Sequence, residues 1–213
     1  MFELAGVKYK DILDIPQLII ASGRITTLMG PSGSGKSTLL KLLNKLYSPT
    51  EGRISYNGAD LAQTDSVLHR RSVAMLSQNA VMFPGTVRDN LLAGIRFQKK
   101  ETPSDERLQA ALDSVSLKKA LDQPAQLLSG GEKQRLALGR VLLLDPDAYL
   151  LDEPSSALDE ETAEAIIRML TGHVKKAEKT LILVTHAKAL SERYSDDIVE
   201  VIGGKCKKKE AAV

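Results

Sequence analysis

The chain has 213 residues, 43% of them hydrophobic and 26% charged, with a net charge of +2. That is enough apolar material for the core of one ordinary domain, and the interspersed charges leave no basic field of the kind nucleic-acid binders carry. The single cysteine, Cys206, excludes a disulfide framework or a cysteine metal site and fits a reducing cytosol. No apolar run approaches the roughly 18–20 residues a membrane helix needs, and MFELAGVKYK lacks the long apolar stretch of a secretory signal. The expected location is therefore cytoplasmic.

The first 30 residues predict two short strands, LAGVKYK and RITTLMG, joined by a segment carrying Pro16 and a turn at Ser22-Gly23. Leu39, Leu40, Leu42, Leu43 and Leu46 recur at helical spacing and predict a helix over 37–46, ended by Pro49 and Gly52. GRISYNGADL predicts a strand pair turning at Asn57-Gly58. Residues 86–121 read as mainly helical with a break at Thr102-Pro103-Ser104. After Pro124 come a loop, a helix from about 131 to 144, a strand at 148–151, a helix at about 160–176 and a strand at 180–184. Such alternation predicts a parallel sheet with helices on its faces, and ligands of such sheets bind at the carboxyl ends of the strands. The terminal run KCKKKE reads as a solvated charge tail, and His69 and His173 as solvated surface residues without ligand-spaced companions.

Chemistry is concentrated where strands end. ITTLM is followed by GPSGSGKST, that is Gly30, Pro31, Ser32, Gly33, Ser34, Gly35, Lys36, Ser37 and Thr38. Glycines let the backbone turn its N–H groups inward, and the following helix offers its positive end to phosphate oxygens. Lys36 would then reach the β- and γ-phosphates and Ser37 would ligate Mg²⁺. The strand AYLLDEP ends in Asp152 and Glu153. Neighbouring strand residues point to opposite sides, so the two carboxylates divide the work: one holds the metal, the other meets attacking water. His186 ends the strand TLILVT in the same way and is placed to hydrogen-bond a γ-phosphate.

One further segment, LLSGGEKQRLALGRVLLLDP at 127–146, separates this chain from other phosphate-loop proteins. Together with the phosphate loop and AYLLDEP it strongly resembles the ABC ATPases, and the resemblance covers nearly the whole chain. It implies an α/β P-loop NTPase (RecA-like) core with an N-terminal antiparallel β subdomain and a small α-helical subdomain. The whole would be one domain over 1–213, with a core at 1–78 and 148–205 and a helical lobe at 79–147. It implies that Glu153 polarises water, that Asp152, Ser37 and Gln78 belong to the Mg²⁺ site, and that Gln78 links the metal to a partner surface. Tyr9 would stack on adenine, and Asp159 in the SALD run at 156–159 would border the nucleotide. Ser129, Gly130 and Gly131 would contact ATP held by a second copy, because the family closes two ATPs between head-to-tail subunits.

The cofactors implied are ATP and Mg²⁺, and the partners an integral membrane permease and a second copy or homologous ATP-binding subunit, with no nucleic acid. The chain would sit peripherally on the inner face of the cell membrane. The segment at 77–94, SQNAVMFPGTVRDNLLAG, resembles exporter-type cassettes, and the compact layout is similar to a bacterial FetA-like subunit associated with iron export. The alternative is a soluble ABC ATPase acting on DNA or the ribosome. Such relatives carry long coiled-coil insertions or paired cassettes, which this sequence lacks.

Overall fold

The structure, a computed structural model, describes residues 1–156 and 158–210. In chain order the elements are β1 (Phe2–Tyr9), β2 (Leu13–Ile20), β3 (Ile25–Met29), α1 (Lys36–Leu43), β4 (Glu51–Tyr56), β5 (Ala59–Asp60), α2 (Ser66–Ser72) and β6 (Val73–Leu76). Then follow α3 (Val87–Phe97), α4 (Asp105–Ser114), a 3-10 turn at Ala125–Leu127, α5 (Gly130–Leu144), β7 (Ala148–Asp152), α6 (Glu160–Lys176), β8 (Thr180–Val184), α7 (Lys188–Tyr194), β9 (Asp197–Ile202) and β10 (Lys205–Glu210).

Two sheets result. The strands β2-β1-β4-β5 form an antiparallel sheet, and β10-β9-β3-β8-β7-β6 form a second sheet, parallel except for the edge strand β10. β7 and β8 are buried at every position, as expected of parallel strands covered on both faces. Because side chains alternate across a strand, neighbours join different cores. Leu150, Ile182 and Val184 pack with Leu39, Leu40 and Leu43 of α1 and with Phe2, Leu4 and Ile15 of the antiparallel sheet. Tyr149, Leu151, Leu181 and Leu183 pack on the opposite face with Leu136 of α5 and Ile166, Ile167 and Leu170 of α6. Each fully buried Leu or Ile contributes about 1.5–3 kcal/mol, so the sheet that carries the strand ends is held from both sides.

Several expectations need correcting. The Pro16 segment is not a connector but β2, paired with β1 from Phe2↔Ile20 to Tyr9↔Leu13. Proline is tolerated there because β2 is an edge strand. The first helix stops at Leu43, since Asn44 caps it and Lys45 turns left-handed at φ 57°. The hairpin at Asn57-Gly58 forms as expected, with both residues at positive φ. KCKKKE is a paired strand rather than a solvated tail: Cys206 faces Val201, and Lys208 and Lys209 pair with Asp197 and Glu200 at 3.2 and 2.6 Å. Burial pushes the Cys206 thiol up to about 11. The signal was available, because DIVEVI alternates and Gly203-Gly204, both at positive φ, make a tight turn.

Of the two remaining histidines, His173 is exposed, as expected, with its Nε2 3.2 Å from the hydroxyl of buried Tyr149, whereas His69 is not solvated. His69 on α2 is 3% exposed, its Nε2 2.7 Å from Leu43 O at the end of α1 and its ring edge-on to Phe2 and Tyr56. Burial lowers its pKa, and neighbouring Lys45 and Arg70 act in the same direction. A histidine buried neutral contributes fully above its unfolded pKa, and that contribution is lost as pH falls toward the lowered folded value. Thermal melts from pH 7.5 to 5.5 should therefore show a falling midpoint, with a shallower fall in His69→Gln. Equal slopes in the two proteins would remove His69 from the acid response.

Candidate nucleotide site

The phosphate loop joins β3 to α1, and its backbone admits only glycine at two points. Gly30 sits at φ 147°, where an added Cβ would lie 2.0 Å from Val201 O; Gly35, at φ 105°, would meet Leu13 Cδ2 at 2.6 Å. Gly35 is also the N-cap of α1, and no side chain caps it. The first N–H groups of that helix thus point into the cleft, the usual anion-binding end. Lys36 is 6% exposed and its Nζ donates to Gly30 O and Pro31 O, both at 2.8 Å. Burial lowers its pKa, opposed by the Glu153 and Asp152 carboxylates.

At the end of β7 the two carboxylates take different surroundings. Asp152 is 3% exposed, and burial raises its pKa against a hydrogen bond from Ser37. Its Oδ1 is buried without a hydrogen-bond partner, as is Ser34 Oγ. Glu153 turns left-handed at φ 51°, its N–H bonded to Val184 O at 3.0 Å. This non-glycine residue lies in a sparsely populated region, and its carboxylate has its own partners. Gln78 Nε2 donates to Glu153 Oε2 at 3.1 Å, and His186 Nε2 lies 2.9 Å from Glu153 Oε1. Strand ends β6, β7 and β8 thus bring three polar side chains to one point.

A cleft of about 370 Å³ runs along these groups, lined by 32–38 of the loop together with Ile12, Gln78, Glu153 and His186. An orphaned carboxylate oxygen beside a serine hydroxyl fits a small hard cation that keeps waters and takes phosphate oxygens. Among the described residues no cluster of three or more His, Cys, Asp or Glu could hold a metal by itself.

The other expected residues lie elsewhere. Tyr9 is 9% exposed and stacks on Tyr47 with centroids 5.2 Å apart and planes at 5°; Ile12, which no motif marks, lines the cleft in its place. Ile12 sits in the turn between β1 and β2, which was hidden once β2 was read as a connector. Ser129 is the N-cap of α5: its Oγ accepts from Glu132 N at 3.3 Å while Glu132 Oε2 accepts from Ser129 N at 2.9 Å, and Lys119 holds Glu132 at 2.8 Å. Ser129 and Gly130 are exposed, Gly131 is half-buried, and nothing lies within 4 Å of a Cβ added at Gly130. Asp159 is the N-cap of α6, accepting from Thr162 N at 2.9 Å, a bond that lowers its pKa. Ala157 of the SALD run lies outside the described residues.

Comparison with known proteins agrees with this geometry. Residues 13–156 match the family described as "ABC transporter". The chain is 39% identical over 193 residues to Protein STAR1 of Oryza sativa subsp. japonica, covering 90% of this chain and 54% of that protein. It is 38% identical over 192 residues to the phosphate import ATP-binding protein PstB of Tropheryma whipplei, covering 84% of this chain and 74% of PstB. It thus spans about half of the one relative and three quarters of the other. Among solved structures, the ATP-binding cassette MJ0796 bound to ADP and Pi, in a dimeric post-hydrolysis state, superposes with a TM-score of 0.90 at 27% identity, over 100% of both chains. The chain belongs to the ABC transporter family and has the fold of its ATP-binding cassettes.

Proposed function

We propose that the chain is the ATP-hydrolysing motor of a membrane transporter, acting on a separate membrane-spanning permease. The observation that carries this reading is the Glu153 carboxylate, held between Gln78 and His186 over a glycine loop that opens on a helix N-terminus. Loop N–H groups and Lys36 bind the phosphate tail and neutralise charge that shifts onto the leaving oxygen. Mg²⁺, when bound, would be held by Ser37 and Asp152 and would offset phosphate charge. Glu153 accepts a proton from the attacking water, and His186 and Gln78 fix the orientation of its two oxygens. Ser129, Gly130 and Gly131, outside the cleft, suit nucleotide on a second copy, while Tyr9, packed on Tyr47, and Asp159, capping α6, stand outside the cleft lining. One domain with a core at 1–78 and 148–205 and a helical lobe at 79–147 accommodates these roles.

No helix among the described residues is long and apolar enough to cross a membrane; the motor reading assigns the crossing to a membrane-spanning partner. Its docking face is proposed around Val81 and Phe97, 64% and 70% exposed, where Phe83 meets Phe97 edge-on and a groove of about 270 Å³ includes Pro84, Asp89 and Arg96. Apolar exposure of this kind marks interfaces. We assign export because the segment at 77–94 resembles exporter-type cassettes, although PstB is named for import.

The test is phosphate release from MgATP by the purified chain, followed by reconstitution with the permease. Val81→Asp and Phe97→Glu should keep basal hydrolysis while permease capture falls by about tenfold or more, the loss expected of an interface hot spot. Capture at the native level would move the docking face elsewhere, and a chain that releases no phosphate alone or with permease would end the motor reading.

A further inference from the structure

Beyond Gln78 the chain runs without regular structure to Thr86, and side chains of two helices hold that stretch. Asn90, fully buried at the start of α3, accepts from Phe83 N at 2.9 Å through Oδ1 and donates through Nδ2 to Phe83 O and Thr86 O, both at 3.0 Å. Arg140, on the C-terminal half of α5, reaches the same place. Its Nε donates to Asn90 O at 2.9 Å, its Nη2 to Val81 O at 2.9 Å and to Asn90 Oδ1 at 3.2 Å, and the guanidinium stands 4.8 Å from the centroid of the Phe83 ring.

These partners are neutral oxygens and a ring face. Burial pushes the Arg140 pKa down to about 10. A half-buried cation held by no carboxylate in this set is an expensive way to fill space, and an apolar side chain of similar volume would pack at less cost. What the apolar side chain lacks is a rigid fork of donors, able to fix several oxygens at set angles. One of the three oxygens, Val81 O, belongs to the loop that starts at Gln78, and the other two belong to Asn90, whose amide in turn holds Phe83 and Thr86 of that loop; the Gln78 amide is bonded to Glu153. The helix carrying the fork is the one that starts at Ser129.

We propose that Arg140 and Asn90 are positioning residues that make the 79–86 loop move as one body with α5, so that the orientation of the helix beginning at Ser129 sets whether Gln78 reaches Glu153. The proposal rests on the ATPase reading above. It gives the chain a mechanical link between the face offered to a second copy and the carboxylate that handles water, through the hydrogen bonds of the Arg140 and Asn90 side chains and one ring contact.

The experiment uses the whole chain with Arg140→Met and Arg140→Lys. Each is assayed for phosphate release over a range of MgATP, for nucleotide affinity, and for hydrogen exchange in a peptide spanning 79–86. Expected for Arg140→Met is a kcat lower by about tenfold or more at an ATP affinity within about twofold of native, the split that separates chemistry from binding. Exchange should rise in 79–86 and stay native in β3 and β7. Arg140→Lys, with charge but no fork, should fall between the two. Native kcat in Arg140→Met, or native exchange in 79–86, would overturn the proposal. So would a parallel loss of affinity and of protection across the sheet, which marks a packing residue. If Arg140→Met does not fold, Arg140→Lys decides: native kcat overturns the link, and lowered kcat at native affinity supports it. Gln78→Ala is the reference. If it leaves kcat intact, the reading of Gln78 fails; if it lowers kcat and the Arg140 variants do not, only the positioning proposal fails.

Discussion

Replacing Glu153 with glutamine is expected to lower ATP turnover by about 10²–10⁴-fold, the range for loss of a general base, while nucleotide stays bound. An amide keeps the shape of the side chain but takes no proton from water. Gln78 and His186, 3.1 and 2.9 Å from the two oxygens, can reorient to bond an amide, so the cleft itself should persist. Retained ATP then acts on assembly, because a ligand that prefers the dimer stabilises it in proportion to its differential affinity. Size-exclusion chromatography with light scattering on Glu153→Gln should give a dimer with ATP and a monomer without, in sodium or magnesium salts. Adding Ser129→Arg should leave nucleotide bound and abolish the dimer, since Ser129 is an exposed helix cap and Gly130 beside it has open space. A double variant that dimerises as well as the single one removes Ser129 from the interface. A monomer with ATP demonstrably bound under every condition counts against the composite site.

Lys36→Ala should cost both affinity and rate. Losing a hydrogen bond to a charged group costs about 1.5–3 kcal/mol, which corresponds to a roughly ten- to hundredfold weaker ATP complex. Turnover should fall further, because the amine also meets charge that grows during transfer. The substitution has a second effect in the free protein: Gly30 O and Pro31 O, each 2.8 Å from Nζ, lose their donor. Lys36→Arg separates the two, since it keeps the charge and can still reach loop carbonyls but not with the same point geometry. Titration with a fluorescent nucleotide and phosphate release on the same samples give both quantities. Native affinity together with native turnover in Lys36→Ala would refute the assignment of the cleft.

How far the sequence carried depended on the range of the interactions. The phosphate loop, the Asn57-Gly58 hairpin and the buried strands β7 and β8 are encoded locally, by glycines, turn residues and continuous apolar runs, and the structure places them where the spacing said. The site's polar residues at strand ends followed from the same rule. What was missed depends on distant partners. β2 was obscured by Pro16, which only its edge position makes tolerable. β6 is four residues long and gains its identity from pairing with β7. His69 read as solvated because nothing in its neighbourhood in sequence announces Leu43 O as its partner. The Tyr9–Tyr47 stack and the Arg140 fork likewise join residues far apart in the chain.

The close approach of Gly30 to Val201 O bears on when the cleft exists during synthesis. β3 pairs with β8 and β9, and Asp14 N donates to Gly204 O at 2.9 Å, so the walls of the phosphate loop come from both ends of the described chain. Domains made largely of such non-local pairings form late, because loop closure precedes its reward. On a translating ribosome the loop at 30–38 emerges early, yet its floor is missing until residues near 204 have cleared the exit tunnel. Nucleotide is therefore expected to steady the chain only after β9 has paired with β3, late in its emergence.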